Sequence, residues 1–485
     1  MNHQQITSNP ITRMEDHSKI EIFLNEEGDA ADTRFIVPDL RELEQVCIGR
    51  PVEEMPRITS QLYGVWPEAH QMAATKALDA LFDVLPKTAV CKIRELYYLT
   101  FFVTAHTNRY YALGGPDFVP KPDALTAQRN AIEKQVIECR RRNRSVIQLM
   151  AGRGAHPVAG QPGGWSRPVT KEAQKLYMDI ARQNIEFAQF CLKLFADVVL
   201  ANPEYLELIL SDVFSEPAYY MGMVDRNNHL NFYDGKIRVV APDGSEFVKY
   251  FEYEYQQHVA EALIPGTYLK SPYLKQVGWK GLESGVESGV YCATPLSRLN
   301  AANGMATPLA QAEYEKMYET LGSEKVNGRY QPLHFLPVNH WARLIELLYA
   351  AERMLELARD PEITNPHTRI VMTHTPTEGV GTVTAPQGLL THHYQTDERG
   401  ILTHVNLIVS TMNNYAPILM SVKRAAQAMI QKGTVITEDL LNRIEMVFRA
   451  YDPCFACAPH SFSEPMPLEV TIHDAEGEVV IKLVR

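Results

Sequence analysis

Two cysteines near the C-terminus, Cys454 and Cys457, have the spacing of a pair of thiolate ligands. With two residues between them on a turn, both sulfurs can face one soft metal ion. Pro453 favours such a turn, because a proline ends the amphipathic helical pattern that precedes it. The spacing alone also fits a redox pair, half of a zinc site, or two buried small apolar side chains.

Long helical patterns would have to position this pair. Apolar residues recur at helical spacing over 67–113, 170–201, 311–321 and 340–358. The basic run 140–144 lies in a further helical pattern, which indicates a solvated helix face or a contact between subunits. These segments predict a helical core.

Alternating patterns predict smaller β elements around that core. A hairpin is expected over 19–37, a small antiparallel insertion over 219–255, and strands at 370–373, 380–383 and 402–409. His392 and His393 also lie in a predicted strand, where neighbours face opposite ways. The tail alternates again over 468–483.

Charge and composition exclude several classes of function. The net charge of -11 over 485 residues disfavours a nucleic-acid partner, which needs a positive surface. No apolar run reaches the ~18 residues of a membrane helix, so we expect no direct membrane insertion and a cytoplasmic protein. Seven scattered cysteines indicate free thiols in a reducing compartment.

Short motifs in one consistent order make the chain resemble the large subunit of nickel–iron hydrogenases, in particular the soluble cytoplasmic, cofactor-coupled branch. The resemblance runs nearly end to end. Its motifs lie at 9–17, 49–51, 56–59, 115–118, 156–157, 162–164, 295–300, 385–388 and 452–457.

The resemblance implies an α+β fold that is mostly α. It would have a long-helix bundle, an N-terminal β hairpin cap and a small antiparallel β insertion. We expect one domain over 1–485, divided as follows: β cap 1–60, helical core 61–215, β-containing insertion 216–305, helical core with the cysteine pair 306–460, and tail 461–485. In catalytic members a protease removes the tail after nickel is inserted.

The family holds nickel and iron with four thiolates in two Cys-x-x-Cys pairs, and here only the second pair is present. Tyr63 and Trp66 stand at the first pair's positions. A phenol is a hard, protonated ligand and an indole is no ligand, so we expect rings to fill this space. Gln387 replaces the family's active-site arginine, and Thr384 stands where a glutamate is usual.

Other family positions are retained. Glu15, Asp117 and Asp452 match acids around the active site, and His70 matches a histidine beside it. Glu44 and His460 match the residues that bind a buried Mg²⁺, for which a carboxylate is suitable. Each also has a structural interpretation. Glu15 could pair with Arg13, His70 could be a hydrogen-bonded core residue, Asp117 and Asp452 could be turn or cap residues, and Cys454 and Cys457 could be inert.

Two classes of function follow. In the first, the chain is a hydrogenase-like large subunit without an H₂-activating nickel–iron site. It would be the structural partner of an iron–sulfur small subunit, with flavin- or NAD-binding or ferredoxin-like subunits in the same complex. In the second, it is a functional nickel–iron oxidoreductase, or an altered metal or thiol redox enzyme that uses Cys454 and Cys457. A quinone-binding role like that of respiratory complex I relatives is disfavoured by the retained cysteines.

Overall fold

The computed structural model describes residues 5–9, 19–36, 43–62, 66–111, 115–118, 126–264, 269–374, 377–453, 469–473 and 479–484. Glu15, Tyr63, Cys454, Cys457 and His460 lie outside these residues.

Helices make up most of the core. In chain order they are α1 Leu43–Cys47, α2 Met55–Leu62, α3 Pro67–Leu81, α4 Thr88–Arg109, α5 Gly115–Phe118, α6 Thr126–Ala151, α7 Lys171–Phe195, α8 Pro203–Ile209, α9 Tyr255–His258, α10 Pro295–Ala301, α11 Pro308–Thr320, α12 Asn339–Arg359, α13 Tyr415–Met429 and α14 Glu438–Tyr451. Several begin with proline, whose fixed φ and missing N–H suit a first helical turn.

The largest core cluster surrounds α12. This helix packs against α7 and α4, and α4 packs against α6. Nearly every side chain of α12 is buried, including Arg343 and Glu346. A helix buried on all sides has to pair its charged residues internally, and this requirement creates the polar network described below.

Short strands form several small sheets around these helices. They are β1 Gln5–Asn9, β2 Lys19–Leu24, β3 Ala30–Ile36, β4 Gly160–Gln161, β5 Gly164–Trp165, β6 Tyr219–Val224, β7 Lys236–Val240, β8 Glu246–Tyr250, β9 Val259–Leu263, β10 Lys270–Leu274, β11 Tyr291–Cys292, β12 Lys325–Val326, β13 Arg329–Tyr330, β14 Glu378–Ala385, β15 Gly388–Thr396, β16 Leu402–Ile408, β17 Glu469–His473 and β18 Val479–Val484.

Both ends of the chain meet in one sheet. Its strand order is β18-β17-β1-β2-β3, and every neighbouring pair is antiparallel. Strands β6, β7 and β8 form the predicted antiparallel insertion, with β11 parallel to β6. Strands β14, β15 and β16 form a separate antiparallel sheet.

Two glycines let β14 lie directly on α3. A Cβ added at Gly379 would come within 2.2 Å of the Ala77 carbonyl oxygen, and one at Gly381 within 2.2 Å of the Ala77 nitrogen. Only glycine permits so close a backbone approach. This contact fixes the β14–β15 hairpin, whose turn carries Gln387.

The predicted α+β, mostly helical class is confirmed, as are the N-terminal hairpin and the antiparallel insertion. The helical pattern over 67–113 is divided between α3 and α4, and that over 170–201 ends in a π-helical turn. The predicted strand at 370–373 is wrong. This segment is irregular and Val371 is 85% exposed, so its apolar residues do not pack as a strand face would.

Candidate functional site

Trp66 starts α3 in a left-handed backbone conformation, with φ of 62°. Pro67 follows as the first helical residue. The indole ring contacts the Phe101 ring edge-on, with centroids 5.4 Å apart, and the Arg109 guanidinium carbon lies 5.1 Å from the Trp66 ring centroid. The indole Nε1 is buried and has no hydrogen-bond partner among the described residues. At this position the chain therefore presents a packed ring and an unused N–H donor.

Asp452 ends α14, also in a left-handed conformation, with φ of 53°. Its carboxylate is fully buried, with Oδ1 3.3 Å from Arg109 Nε and Oδ2 4.0 Å from Arg343 Nη2. The predicted cap residue is thus also a buried acid between two arginines. Arg109 brings Asp452 close to Trp66.

Asp117 lies in the short helix α5 and faces Arg449 of α14. Arg449 Nη2 donates to Asp117 Oδ1 at 2.9 Å, and Arg449 Nε donates to Oδ2 at 3.3 Å. A second carboxylate, Glu445, accepts from Arg449 Nη1 at 3.0 Å. This two-pronged contact commits Asp117 to an ion pair that holds α5 against α14.

Gln387 occupies the turn between β14 and β15, and its side chain is fully buried. Its backbone oxygen accepts from Asn414 Nδ2 at 2.5 Å. Neither atom of its side-chain amide has a hydrogen-bond partner among the described residues. Buried polar atoms are nearly always paired, so this amide marks a place where a bound group would be stabilised.

Arg298 of α10 ties the Gln387 turn to α12. Its guanidinium donates to the backbone oxygens of Ala385 and Pro386 at 3.2 and 3.3 Å. It also makes a two-pronged contact with Glu346, at 2.8 and 2.6 Å. The turn is therefore held by a buried ion pair.

His106 completes this network by contacting Glu346 Oε2 through Nε2 at 2.8 Å. Burial alone would raise the pKa of Glu346, but the charge of Arg298 and the hydrogen bonds from His106 and Arg298 lower it to about 2. Burial lowers the pKa of His106 to about 4, against the raising effect of Glu346. At neutral pH the three groups are one cation, one anion and a neutral imidazole.

His70 of α3 pairs with His392 of β15, with Nδ1 3.2 Å from Nε2. Burial lowers the pKa of His70 well below its usual range, and it lowers that of His392 to about 3. His393 faces the other way, where its Nδ1 contacts the Tyr255 hydroxyl at 2.9 Å. The expected opposite orientation of the two neighbouring histidines is confirmed.

Glu44 lies on α1, which packs on β16, and a second carboxylate, Glu261, is close to it. Burial raises the pKa of Glu261, and the charge of Glu44 adds to this effect. Asn406 Nδ2 donates to Glu261 Oε2 at 3.3 Å, whereas Oε1 is buried without a partner in the described part of the chain. Oxygen donors of this kind suit Mg²⁺. Across the described residues, no three His, Cys, Asp or Glu side chains group as a metal site.

Comparison with known proteins places these features in a family. Over 487 aligned residues, 98% of this chain and 99% of the relative, the chain is 41% identical to an iron-sulfur subunit of the F420-non-reducing hydrogenase of Archaeoglobus profundus. The chain belongs to the nickel-dependent hydrogenase large-subunit family. Family models described as nickel-dependent hydrogenase and as HoxL-like match residues 295–460 and 5–40.

Other hydrogenase large-subunit relatives extend this comparison. The NAD-reducing hydrogenase HoxS subunit beta of Cupriavidus necator is 31% identical, over 98% of this chain and 99% of its own. A crystal structure of an NAD⁺-reducing [NiFe]-hydrogenase superposes with a TM-score of 0.84 at 29% identity, covering 94% of this chain and 99% of that one. The Ni-Fe-Se hydrogenase of D. vulgaris Hildenborough shares the fold, with a TM-score of 0.73 at 20% identity.

Several residues of this hydrogenase-family site were not named from the sequence. Arg109, Arg343 and Glu261 lie in ordinary helix or strand patterns. Such patterns do not indicate which side chains from distant parts of the chain lie close together in the fold. Arg298 lies inside the family motif at 295–300 and could have been found there. Within the described ranges, no helix is both long and apolar enough to cross a bilayer.

Proposed function

We propose that this chain is a hydrogenase-family large subunit without an H₂-activating nickel–iron centre. It would act as the structural partner of an iron–sulfur small subunit in a cytoplasmic redox complex. The observation that carries the proposal is Trp66, which stands at a family thiolate position and packs its ring on Phe101 and Arg109. An indole offers no lone pair to nickel or iron, and its ring takes up volume.

Gln387 supports the same proposal. The family has an arginine here, which lends positive charge, and this chain has a buried neutral amide. The residues that the structure describes therefore do not fit a nickel–iron centre held by four thiolates. The hydrogenase fold is nevertheless retained over 94% of the chain, which suits a subunit whose role is to dock partners.

The relatives indicate the kind of complex. One is named for NAD reduction, and others are named as components of F420-non-reducing hydrogenases. We propose that the chain docks an iron–sulfur small subunit, and that flavin- or NAD-binding or ferredoxin-like subunits carry the electrons. A Mg²⁺ held by Glu44, Glu261 and His460 would stabilise the C-terminal segment.

Metal analysis of the purified complex tests this proposal. We expect nickel far below one atom per large subunit, with iron present in amounts that match the partner's iron–sulfur clusters. Infrared spectra should lack the bands of carbon monoxide and cyanide on iron. The iron serves as the internal control, because its presence shows that metal survived purification. One nickel per chain, with those infrared bands, would contradict the proposal.

A further inference from the structure

The segment 369–374, which lies shortly before β14, has an unpaired backbone. Its sequence is Arg-Ile-Val-Met-Thr-His, and its β-branched and apolar residues are typical of a strand. The chain makes no turn or bend over 367–373. Within the described part of the chain, no backbone N–H or C=O group of 369–374 takes part in a hydrogen bond. The segment is therefore strand-like in sequence and straight in course, but it belongs to no sheet.

One end and one side of this segment are fixed to the rest of the protein. The Trp165 N–H donates to the Thr368 backbone oxygen at 2.8 Å. Gly163 lies between Ile370 and Val84, because a Cβ added at this glycine would come within 3.3 Å of side-chain carbons of both. These contacts set the position of the segment before any partner binds, which reduces the entropy cost of pairing with it.

Exposed apolar side chains adjoin the unpaired backbone. Val371 is 85% exposed and Met372 39% exposed, whereas Ile370 is partly buried. Leu85, which follows Val84 in the loop between α3 and α4, is 90% exposed. Single apolar residues on a surface need no explanation, but these lie beside a row of open backbone groups. Such an edge is a template for a strand of another chain, which would pair with the backbone and cover the side chains.

The charges of the segment favour a strand from a different subunit over one from a second copy of this chain. The run 367–374 contains an arginine and two histidines but no acid. Among the described residues, the Arg369 guanidinium donates only to the Ser166 backbone oxygen, at 3.4 Å. Two copies paired with each other would bring two arginines together with no carboxylate, and like charges on adjacent strands are destabilising. A partner strand with Asp or Glu beside it would instead neutralise Arg369.

We propose that residues 370–373 pair with an extended apolar segment of another subunit of the redox complex, and that an acidic residue of that subunit contacts Arg369. Leu85 and Val371 would be covered by this contact. The inference rests on one part of the proposed function, the docking of partner subunits, and it does not depend on whether nickel is bound.

Amide hydrogen exchange in the purified complex, compared with the full chain alone, tests the pairing. We expect the amides of 370–373 to exchange at least about tenfold more slowly in the complex, because their N–H groups then donate to the partner. Val435 provides the control, since it is 76% exposed in another irregular segment. Its exchange should be the same in both samples.

Two variants test the backbone and the charge separately, through the affinity of the chain for the rest of the complex. Val371→Pro removes an N–H and should weaken binding at least about tenfold, whereas Val435→Pro, at the matched exposed valine, should not. Arg369→Glu replaces attraction with repulsion and should also weaken binding at least about tenfold. Its control is Arg226→Glu, at an exposed arginine between β6 and β7.

Equal affinity in Val371→Pro and Val435→Pro would overturn the inference. If Val371→Pro does not fold, Arg369→Glu and the exchange comparison decide the question. A dimer of the full chain alone with slow exchange at 370–373 would also overturn it, because a second copy would then occupy the edge. Partner subunits bound to a chain that exchanges freely at 370–373 defeat this inference alone. A chain that purifies with no partner subunit defeats the proposed function as well.

Discussion

Under the proposed function, Trp66 supplies a packed ring at a position where the family resemblance implies a thiolate. A thiolate is a soft anion that holds a metal, whereas the indole is neutral, donates through Nε1 and packs through its ring. The ring meets Phe101 and Arg109, so its neighbours are an apolar ring and a cation. We therefore propose a packing role for this residue, and its Nε1 has no acceptor among the described residues.

Glu68, two residues after Trp66, gives a test at a single carboxyl group. It lies in the first turn of α3 and is 9% exposed. Burial raises its pKa from 4.5 to about 7. The hydrogen bond to its own backbone N–H and the charges of His156 and Arg144 lower the pKa, but by less than burial raises it. A raised folded-state pKa gives stability that is present below pH 4.5 and lost as pH rises through about 7. Glu68→Gln should therefore raise the free energy of unfolding at pH 8 by about 1–3 kcal/mol.

Unfolding measured across pH 4–8 checks this expectation. The gain from Glu68→Gln should vanish below pH 4.5, where the buried carboxyl is protonated in both states. Glu204→Gln, in the exposed first turn of α8, is the matched control and should change stability little at any pH. A gain that is the same at all pH values would show that packing, not ionisation, is responsible.

Single residues were the least predictable part of the site. Asp117 and Asp452 could be named because each lies in a short motif that carries the family resemblance. Their partners Arg449, Arg109 and Arg343 could not, since an arginine in a helical pattern is ordinarily solvated. Only the packing of separate helices buries these arginines and forces them to share the acids.

At the scale of elements, the Gln387 turn is held in place by α10, α12 and α4 together. Arg298 supplies the guanidinium, Glu346 the carboxylate and His106 the imidazole. Buried ion pairs of this kind add little net stability but are costly to break, because one charge is then left alone. The network therefore specifies where the turn lies.

Arg298→Met tests that role. It removes the partner of Glu346 and the donors to Ala385 and Pro386, and should cost about 3–5 kcal/mol in the free energy of unfolding. Changing Glu346 to Met as well removes the stranded charge, so the double variant should lose less than Arg298→Met alone. Denaturant unfolding of the three variants measures this coupling.

The solvent-exposed ion pair between Arg182 and Asp179 on α7 is the control for these three variants. Arg182→Met should cost less than about 1 kcal/mol, because surface ion pairs contribute little. A double variant as unstable as the sum of the two single changes would contradict the coupling. It would mean that Arg298 acts mainly through the backbone oxygens of the turn.

Helices and strands whose apolar residues recur with a clear period could be predicted from the sequence, whereas elements with a weak pattern could not. The pattern over 311–321 matches α11 to within one residue at its end, and that over 340–358 lies within α12. The patterns over 380–383 and 402–409 match β14 and β16. The apolar run at 370–373 was wrongly predicted as a strand. Its composition is typical of a strand, but among the described residues no neighbouring strand pairs with it. Periodicity reports which face is buried, whereas pairing depends on the rest of the chain.

At the scale of the whole molecule, the two ends of the chain close one sheet. Strand β1 lies between β2, its neighbour in sequence, and β17 from the tail. The alternating pattern predicted the strands of the tail, but no local signal gives a partner more than 400 residues away. The order of the strands in this sheet is therefore known only from the structure. It gives β17 and β18 a structural use in a chain that we propose takes up no nickel.

Removal of the tail is the test at this scale. A chain cut before β17 loses β17 and β18, which exposes the backbone edge of β1 and leaves β1 paired with β2 alone. Amide hydrogen exchange at Gln5–Asn9 should then be faster, because N–H groups that donated to β17 face water. Exchange in β14–β16 serves as the control and should be unchanged. Equal protection of β1 in both forms would mean that the tail is dispensable to the sheet.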